Sequence, residues 1–426
     1  MTTERTTNGK DGARQLGALA PLRVVAYRRV WLAMVVSHLG TYLHLTAGPW
    51  LMLRMTGSPF MVSLVTAVLF LPRLLLTIPA GAMSDRFDRR TIMMVVQAVS
   101  GASVGALAVV VLTDRLTPAI LLVLTGSLGI STAMEKPSYQ TLIPDLVPSS
   151  LRAQAITLKA ASHQLARVIG PSMGGLFVAT GLEGIAFAGN ALSFLVVMAV
   201  LGTVPGDRQA GDRGDRGPRE GGRVLDGFRY ARAQRGLRLV LLVAAMFTLT
   251  AAGLQTLLPN IADDLGLGAW GFGLLYGIFG GGALIGTVLR QRLADRAGPR
   301  LLPSSIVLFG SICVVIGLTS SPVVAGTAMV LAGFGWIWTM TTLNVTVQFL
   351  APRAVRGRVV AVFLLAISMK PIGALVVGAL AEVTGAGMAV AIASLATVAL
   401  GSVAFWMRLP APVAEIDPVP ADAETP

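Results

Sequence analysis

The sequence predicts an all-α fold: a polytopic membrane protein with twelve transmembrane helices in two pseudo-symmetric six-helix bundles. Composition is the first reason, because 54% of the 426 residues are apolar, 13% are charged and the mean hydropathy is +0.73, far from the values of soluble domains. The second reason is that twelve predominantly apolar runs are each about 20 residues long, enough to cross ~30 Å of hydrocarbon. These runs lack strict alternation of polar and apolar residues, which favours helices over barrel strands in lipid.

The apolar runs form two sets of six, numbered here as spans 1 to 12. Spans 1 to 6 begin near Trp31, Pro59, Thr91, Pro118, Ala153 and Ile185. Spans 7 to 12 begin near Leu237, Trp270, Leu301, Val323, Val359 and Ala386. The predicted domains are a tail over residues 1–29, a six-helix bundle over 30–204, a linker over 205–236, a second bundle over 237–408 and an acidic tail over 409–426.

The distribution of positive charge indicates the orientation in the membrane. Most of the 34 lysines and arginines lie before span 1 or in alternate loops, whereas the opposite loops hold only Arg54 and Arg115. Lys and Arg are retained on the cytoplasmic side during insertion, so both termini are predicted to be cytoplasmic and the protein to lie in the cell membrane. The net charge of +13 is then a signal of topology, so the lipid bilayer is an expected partner and nucleic acid is not. The polar segment 1–22 shows no cleavable signal peptide.

The linker has its own composition. Residues 205–223 are rich in Gly, Asp and Arg and cannot bury a core, which predicts a flexible cytoplasmic segment. Residues 224–239 mix apolar residues with arginines, as expected for an amphipathic helix that lies at the interface and leads into span 7. The single cysteine, Cys313, lies inside a span, so the sequence predicts no internal disulfide, and neither a metal nor a cofactor is expected.

The two bundles repeat each other in detail. The segment 148–152 leads into span 5, and a similar segment, 352–356, leads into span 11; Gly174 and Gly378 match at the same spacing. Parallel repeats related by an axis along the membrane normal place a substrate site between them, near the bilayer midplane. The two halves are then expected to rock around that site.

Charged loops separate spans 2 and 3 and, in a weaker copy, spans 8 and 9. The gating candidates in them are Gly81, Asp85, Arg86, Arg89 and Arg90 in the first loop and Asp295 and Arg296 in the second. A glycine lets a helix end approach another backbone closely, and a carboxylate accepts hydrogen bonds from arginines or from a neighbouring helix N-terminus. The recurrence of Gly, Asp and Arg favours a breakable cytoplasmic latch. The alternative is that the arginines only anchor the topology.

A stretch of small residues in span 5 is the other gating candidate. Gly170, Pro171, Gly174 and Gly175 form a face on which helices can approach closely and bend. Simple helix packing and a role in conformational switching both explain this face.

Together these motifs resemble the major facilitator superfamily, and within it the branch of bacterial exporters that includes the enterobactin exporter and macrolide efflux proteins. The resemblance covers roughly residues 24–405. The first charged loop is similar to the superfamily's signature between spans 2 and 3, with Asp88 in place of a usual glycine. The segment from Arg167 to Gly175 is similar to the end of the span 5 motif of exporters, with Thr157 and Ala166 in place of its upstream glycines. The resemblance implies that the first loop engages span 11 when the cytoplasmic side is closed.

Charged residues inside the spans locate the candidate cavity. Lys159, His163 and Arg167 are spaced i, i+4 and i+8, so they share one face of span 5. Arg167 lies ~21 Å along that helix, past the midplane, and Lys370 lies at a comparable depth in span 11. Because a charge at the helix centre costs at least ~2.5 kcal/mol unless it meets water or a partner, we expect each half to present one cation to a central cavity. Lys159 alone fits a side chain that snorkels to the cytoplasmic surface.

Neutral and titratable residues complete the candidate cavity. His44, His163 and Asn344 are assigned to it beside the two cations, and Asn190 and Gln348 either line it or join helices.

The candidates for carrying a proton are Glu135, His44 and His163. Glu135 can instead neutralise Lys136 or Lys159, and His38 is expected to be a core residue.

The predicted function is that of a secondary active transporter: a proton-coupled exporter of small amphiphilic molecules by alternating access. Its expected partners are a small-molecule substrate and the proton gradient, and the expected state is a monomer. Two deep cations with few opposing carboxylates favour anionic or polar cargo, such as a siderophore-like or acidic natural product, over a permanently cationic drug. An importer or uniporter is the main alternative, because fold does not set direction, and a transporter-like sensor is another. A membrane enzyme is disfavoured because the sequence has no His-Glu-x-x-His motif, cysteine cluster or nucleophile elbow.

Overall fold

The computed structural model describes residues 17, 19–86, 88–203, 224–293, 300–352 and 355–407. Within these ranges the chain is helical with short connections and has no strand, so the prediction of an all-α fold is confirmed. Eleven of the described membrane spans are long and apolar enough to cross a membrane by length and composition. The remaining one, Arg152–Ala179, has 28 residues but is less apolar because it carries the polar face of Lys159, His163 and Arg167.

Spans 1 to 6 are the helices Val25–Thr56, Pro59–Arg86, Arg89–Leu112, Pro118–Asp145, Arg152–Ala179 and Glu183–Thr203. Turn chemistry sets their ends. Span 1 ends at Gly57, whose φ of +64° is a left-handed conformation that glycine adopts without strain. Pro59 and Pro118 begin spans 2 and 4, where the missing proline N–H is harmless because the first helical N–H groups have no partner within the helix.

Spans 7 to 12 are Arg235–Asp264, Gly268–Leu293, Leu301–Leu318, Pro322–Leu350, Arg356–Thr384 and Ala386–Trp406. Two of these spans are interrupted. Span 7 consists of Arg235–Thr250 and Ala252–Asp264, and span 11 consists of Arg356–Ala366 and Lys370–Thr384 joined by the 3-10 turn Ile367–Met369. Pro371 lacks an N–H and sits in the first turn of the second segment of span 11, which explains the interruption there. Lys370 is therefore held at a helix break in the middle of span 11.

Each set of six spans packs mostly within itself. Span 1 packs against spans 5 and 6 and span 2 against span 4, while span 8 packs against span 10 and span 9 against span 12. The extensive contacts between the two sets join span 5 to span 8 and span 2 to span 11. We refer to spans 1–6 as the N half and to spans 7–12 as the C half. Large apolar side chains such as Leu192, Val323 and Trp406 are exposed on the outer faces of the protein, as expected where lipid takes the place of water.

Close backbone approaches between the halves involve glycines in the middle and outer parts of the spans. A Cβ on Gly175 would lie 2.6 Å from the carbonyl oxygen of Ala269, and one on Gly273 would lie 2.5 Å from the carbonyl oxygen of Pro171. A Cβ on Gly378 would likewise overlap Ser63. In the part of the chain that the structure describes, the glycines whose added Cβ would come within about 3 Å of the other half are Gly175, Gly273, Gly277, Gly280 and Gly378. The two halves therefore pack closely in this part of the spans, next to a vestibule of about 500 Å³ whose lining includes Arg54 of the N half and Asp264 of the C half.

The linker contributes one short helix, Val224–Ala233, which packs on the start of span 11. A Cβ on Gly227 would lie 2.7 Å from the backbone carbonyl of Arg358, so the helix lies directly against that span. Phe228, Arg229 and Arg232 are exposed, which agrees with the amphipathic pattern. The linker residues 204–223 lie outside the described ranges.

Candidate substrate cavity

The deep cation of the C half lies against an aromatic ring of the N half. Lys370 Nζ is 4.9 Å from the centre of the Phe70 ring in span 2 and donates a 2.8 Å hydrogen bond to Gln255 Oε1 in span 7. The face of an aromatic ring carries negative charge density, so it stabilises the ammonium group without neutralising it. The break before Pro371 and the amide of Gln255 thus fix Lys370 at the boundary between the halves.

The deep cation of the N half makes the reciprocal contact. Arg167 Cζ in span 5 lies 5.6 Å from the centre of the Phe279 ring in span 8. Gly280, the residue after Phe279, approaches the backbone of Arg167 so closely that a Cβ there would lie 3.0 Å from the Arg167 carbonyl oxygen. Glycine at this position therefore allows span 8 to bring its phenylalanine under the guanidinium group.

A third cation, Arg73, lies beside the same phenylalanine ring as Lys370. The sequence analysis does not assign Arg73 to the cavity. Arg73 Cζ is 5.3 Å from the centre of the Phe70 ring, so Arg73 and Lys370 share one ring. The two positive charges also interact electrostatically with each other. Arg73 stands fourteen positions, or ~21 Å by the rise per residue, into the 28-residue span 2, so it lies near the middle of that span as Arg167 does in span 5. Depth along span 2 was the signal that identifies it.

A small cavity at the centre is lined by residues of both halves. Its lining includes His44, Thr125, Gln255, Tyr276 and Lys370, and its volume is about 20 Å³, room for about one water molecule. His44 is 2% exposed, and neither of its ring nitrogens hydrogen-bonds to the protein. His44 packs edge-on against Phe187, with ring centres 5.5 Å apart. This small cavity therefore brings His44 of the N half and Lys370 of the C half to one place.

A second cluster lies within the N half, nearer the start of span 5 than Arg167. Lys159 Nζ is 4.1 Å from the centre of the Tyr139 ring, and the His38 ring centre is 5.0 Å from that of His163. The Tyr42 hydroxyl lies 3.3 Å from His163 Nε2. His163 is exposed, whereas His38 is partly buried between His163 and Tyr139. Thus the polar face of span 5 is lined by aromatic side chains of spans 1 and 4.

Glu135 faces the cations rather than standing apart from them. Its carboxylate interacts electrostatically with Arg73 and Lys159. The sequence predicts Lys136 or Lys159 as its partner, and the structure adds Arg73. The Lys136 side chain lies outside the described residues.

The structure places the three amides in different settings. Gln348 Nε2 donates to Asn344 Oδ1, one turn earlier on span 10. Asn190 is buried against span 1, where a Cβ on Gly40 would overlap its amide. Asn190 therefore packs at the contact between spans 1 and 6, and its amide nitrogen has no hydrogen-bond partner in the described structure. Asn344 is partly buried on span 10.

The small-residue face of span 5 serves two neighbours. Gly170 and Gly174 lie against Tyr42 and Thr46 of span 1, whereas Gly175 and the carbonyl of Pro171 lie against Gly273 of span 8. The motif thus packs span 5 inside its own half and across to the other half.

Only part of the predicted cytoplasmic latch is described. Asp88 is the N-cap of span 3, where its Oδ2 accepts hydrogen bonds from Thr91 N at 3.0 Å and Thr91 Oγ1 at 2.9 Å. Arg90 donates a 2.6 Å hydrogen bond to the carbonyl of Gly202 at the end of span 6. Asp88 therefore has a structural reason to replace a glycine. The side chains of Asp85, Arg86 and Arg89 lie outside the described residues, as do the surroundings of Gly81 and all of Asp295 and Arg296.

A family model described as "transmembrane secretion effector" matches residues 16–424 of the chain. The chain belongs to this family. Its relatives include the multidrug efflux pump Tap of Mycobacterium tuberculosis, 29% identical over 418 residues, which cover 92% of this chain and 96% of the relative. The enterobactin exporter EntS of Shigella boydii is 26% identical over 344 residues, which cover 78% and 80% of the two chains. The predicted resemblance to major facilitator exporters is thereby confirmed.

Solved structures support the fold of this transmembrane secretion effector. A bacterial homologue of the human lysosomal transporter Spinster superposes with a TM-score of 0.73 at 16% identity, covering 92% of this chain and 99% of the other. The nucleoside transporter NupG gives a TM-score of 0.70 at 13% identity, covering 90% and 98%. The chain therefore has the major facilitator fold, and its family and relatives make it a multi-pass membrane transporter.

Proposed function

We propose that this protein exports small amphiphilic molecules that carry an anionic group, using the proton gradient. The group is held at the middle of the membrane between Arg167 of the N half and Lys370 of the C half, with Arg73 as a third cation. The observation that carries the proposal is the reciprocal placement of the two deep cations: Arg167 lies over Phe279 of the C half, and Lys370 lies over Phe70 of the N half.

This placement suits an amphiphilic anion for an electrostatic reason. Aromatic faces hold the cations in place but leave their net positive charge in a medium of low dielectric constant. Inside the described spans, the cations Arg73, Arg167 and Lys370 lie near the middle of their helices, and the carboxylate that interacts with this group is Glu135. An anionic cargo group lowers this imbalance, while a permanent cation increases it. The rings of Phe70 and Tyr276, which line the central cavity, offer apolar surface for the rest of the molecule.

The proton is proposed to be carried by Glu135, His44 or His163. Glu135 interacts with Arg73 and so is linked to the cargo site. His44 lines the central cavity, and His163 is exposed beside Lys159 and Tyr42. We favour Glu135, because a charge change there alters the field at Arg73 directly.

The remaining parts of the proposal concern topology and assembly. Both termini are placed in the cytoplasm by the distribution of Lys and Arg, and the protein is proposed to act as a monomer with two six-span domains over 30–204 and 237–408. The names of Tap and EntS support export as the direction. No enzymatic step is part of the proposal.

The experiment uses inside-out membrane vesicles, in which export appears as uptake into the lumen. Naphthalene-1-sulfonate and the neutral naphthalene-1-sulfonamide have nearly the same shape and differ in charge, and their uptake is measured by mass spectrometry after filtration. We expect energised vesicles with the wild-type protein to take up the sulfonate and to lose most of that uptake in Arg167→Gln or Lys370→Gln. Arg54→Gln, which changes a cation near the outer surface, is the matched control and should retain uptake.

Each outcome separates one part of the proposal from the others. Equal uptake of sulfonate and sulfonamide would show transport without a preference for anions. Uptake of the sulfonate that survives an ionophore removing only the pH gradient would indicate uniport driven by the membrane potential. Unchanged uptake in both Arg167→Gln and Lys370→Gln would show that the cation pair is not the cargo site.

A further inference from the structure

We infer that Glu382, at the outer end of span 11, is a gating residue that closes the outer side by capping the N-terminus of span 2. Glu382 Oε1 accepts a 3.0 Å hydrogen bond from the backbone N–H of Phe60 and a short hydrogen bond from the Ser58 hydroxyl. Glu382 belongs to the C half, whereas Ser58 and Phe60 belong to the N half. The contact therefore joins the halves directly. The inference rests on alternating access and is independent of the proposed cargo.

The carboxylate completes a cap that the N half cannot complete alone. The first N–H groups of a helix have no partner within the helix and need outside acceptors. In span 2, Pro59 has no N–H, and Ser58 Oγ accepts a 3.1 Å hydrogen bond from Met61 N, as a serine N-cap does. The N–H of Phe60 lies between them and is taken by Glu382. A negative charge at a helix N-terminus is also favoured by the helix dipole.

Close packing of spans 2 and 11 next to the Glu382 cap indicates that opening of the outer side must separate these two spans. Gly378 lies one turn before Glu382, and a Cβ on it would lie 2.3 Å from Ser63 Oγ and 3.4 Å from Phe60 Cα. Spans 2 and 11 thus touch backbone to side chain just below the cap. If the spans tilt apart on the outside, the hydrogen bonds of Glu382 and the contact of Gly378 are lost together.

A neighbouring ion pair lies within one half and therefore cannot act as a gate. Arg54 and Glu183 form a 2.7 Å salt bridge, but both residues belong to the N half and move together. Glu382 also contrasts with the predicted cytoplasmic latch, whose residue Asp85 lies at the other end of span 2. Span 2 therefore has an acid-dependent contact with span 11 observed at its outer end and another predicted at its inner end. Rocking can satisfy only one of them at a time.

The test measures how often the outer side opens. Ser63 is buried, its hydroxyl has no hydrogen-bond partner in the described structure, and Gly378 covers it. We would introduce Ser63→Cys into full-length protein carrying Cys313→Ala, reconstitute it in right-side-out vesicles, and follow labelling by a membrane-impermeant maleimide. We expect Glu382→Gln to raise the labelling rate about tenfold, because the lost charge-assisted hydrogen bonds shift the equilibrium toward the outward-open state. Glu382→Ala should raise it at least as much.

Glu183→Gln is the matched control, because it removes a carboxylate near the outer surface without crossing between the halves. Its labelling rate should equal that of the parent protein. A labelling rate that Glu382→Gln and Glu382→Ala leave unchanged, with both variants monodisperse after purification, would overturn the inference. An equal increase in Glu183→Gln would also overturn it, since the effect would then report general loosening of the outer surface.

Transport kinetics supply a second measurement, because a residue with a purely structural role would not change KM and the maximal rate in this pattern. Cargo from the cytoplasm binds the state that is closed on the outside. When that state becomes less populated, the apparent affinity for cytoplasmic cargo decreases in proportion. We expect Glu382→Gln to raise KM for cytoplasmic cargo several-fold while changing the maximal rate less. A fall in maximal rate with unchanged KM would contradict the assignment of Glu382 as a gating residue.

Discussion

The ammonium nitrogen of Lys370 in the C half lies 4.9 Å from the centre of the Phe70 ring in the N half. Arg73 of the N half approaches the same ring, at 5.3 Å. One aromatic side chain therefore holds a cation from each half at the middle of the membrane. Because like charges repel in a medium of low dielectric constant, an anion placed beside Phe70 would favour the close approach of the halves.

Replacing Phe70 tests this relationship. Phe70→Leu keeps apolar volume but removes the ring face, a loss of about 0.5–2 kcal/mol per cation. We expect KM for naphthalene-1-sulfonate to rise about three- to thirtyfold, with a smaller change in maximal rate. Phe70→Tyr retains the ring and should resemble the wild type. Equal KM values in Phe70→Leu and the wild type would show that the shared ring does not position the cations.

Replacing Glu135 separates proton coupling from cargo binding. Glu135→Gln removes the titratable carboxyl that interacts with Arg73 and Lys159. We expect uptake driven by the proton gradient to be lost, while exchange of labelled for unlabelled cargo in the absence of a gradient continues. His44→Gln and His163→Gln serve as parallel variants. If Glu135→Gln remains fully driven by the gradient and one histidine variant does not, the proton is carried by that histidine.

Gly175 is predicted to be intolerant of a methyl group. An added Cβ would lie 2.6 Å from the Ala269 carbonyl oxygen and 2.8 Å from Gly273 Cα, and both are backbone atoms that cannot rotate away. Gly175→Ala should cost about 1–3 kcal/mol through overpacking and should lower transport. Gly189→Ala is the matched control, since a Cβ there meets nothing within 4 Å. Thermal melting of the two variants in the same detergent measures the difference.

Asp88 is predicted to stabilise the protein as a helix cap. Asp88→Ala removes the acceptor for Thr91 N and should cost about 1 kcal/mol. Asp88→Gly should cost only a few tenths of a kcal/mol, because glycine is itself tolerated at an N-cap. Asp88→Asn keeps the acceptor and should melt near the wild type. A melting temperature of Asp88→Ala equal to that of Asp88→Gly would contradict the capping role.

The fold followed from the sequence because it depends on local properties. Twelve apolar runs must be helices wherever lipid offers no hydrogen bonds to the backbone, and their lengths match the bilayer. The depth of Arg167 and Lys370 also follows from counting residues along a regular helix. The structure differs from a set of continuous helices where a residue cannot complete the helical hydrogen bonds, as at the break in span 11 before Pro371.

The sequence by itself determined the all-α membrane fold, the family, and the presence of one deep cation in each half. Tertiary structure alone decided which side chains these cations meet: Arg167 lies over Phe279, Lys370 lies over Phe70, and Arg73 joins Lys370 on that ring. It also decided that Glu382 caps span 2. The physical reason is that periodicity fixes the depth and face of a residue on its own helix, whereas contacts across the halves depend on how separate helices pack. The glycines that permit that packing contact residues far away in the chain, as Gly175 contacts Ala269 and Gly378 contacts Ser63.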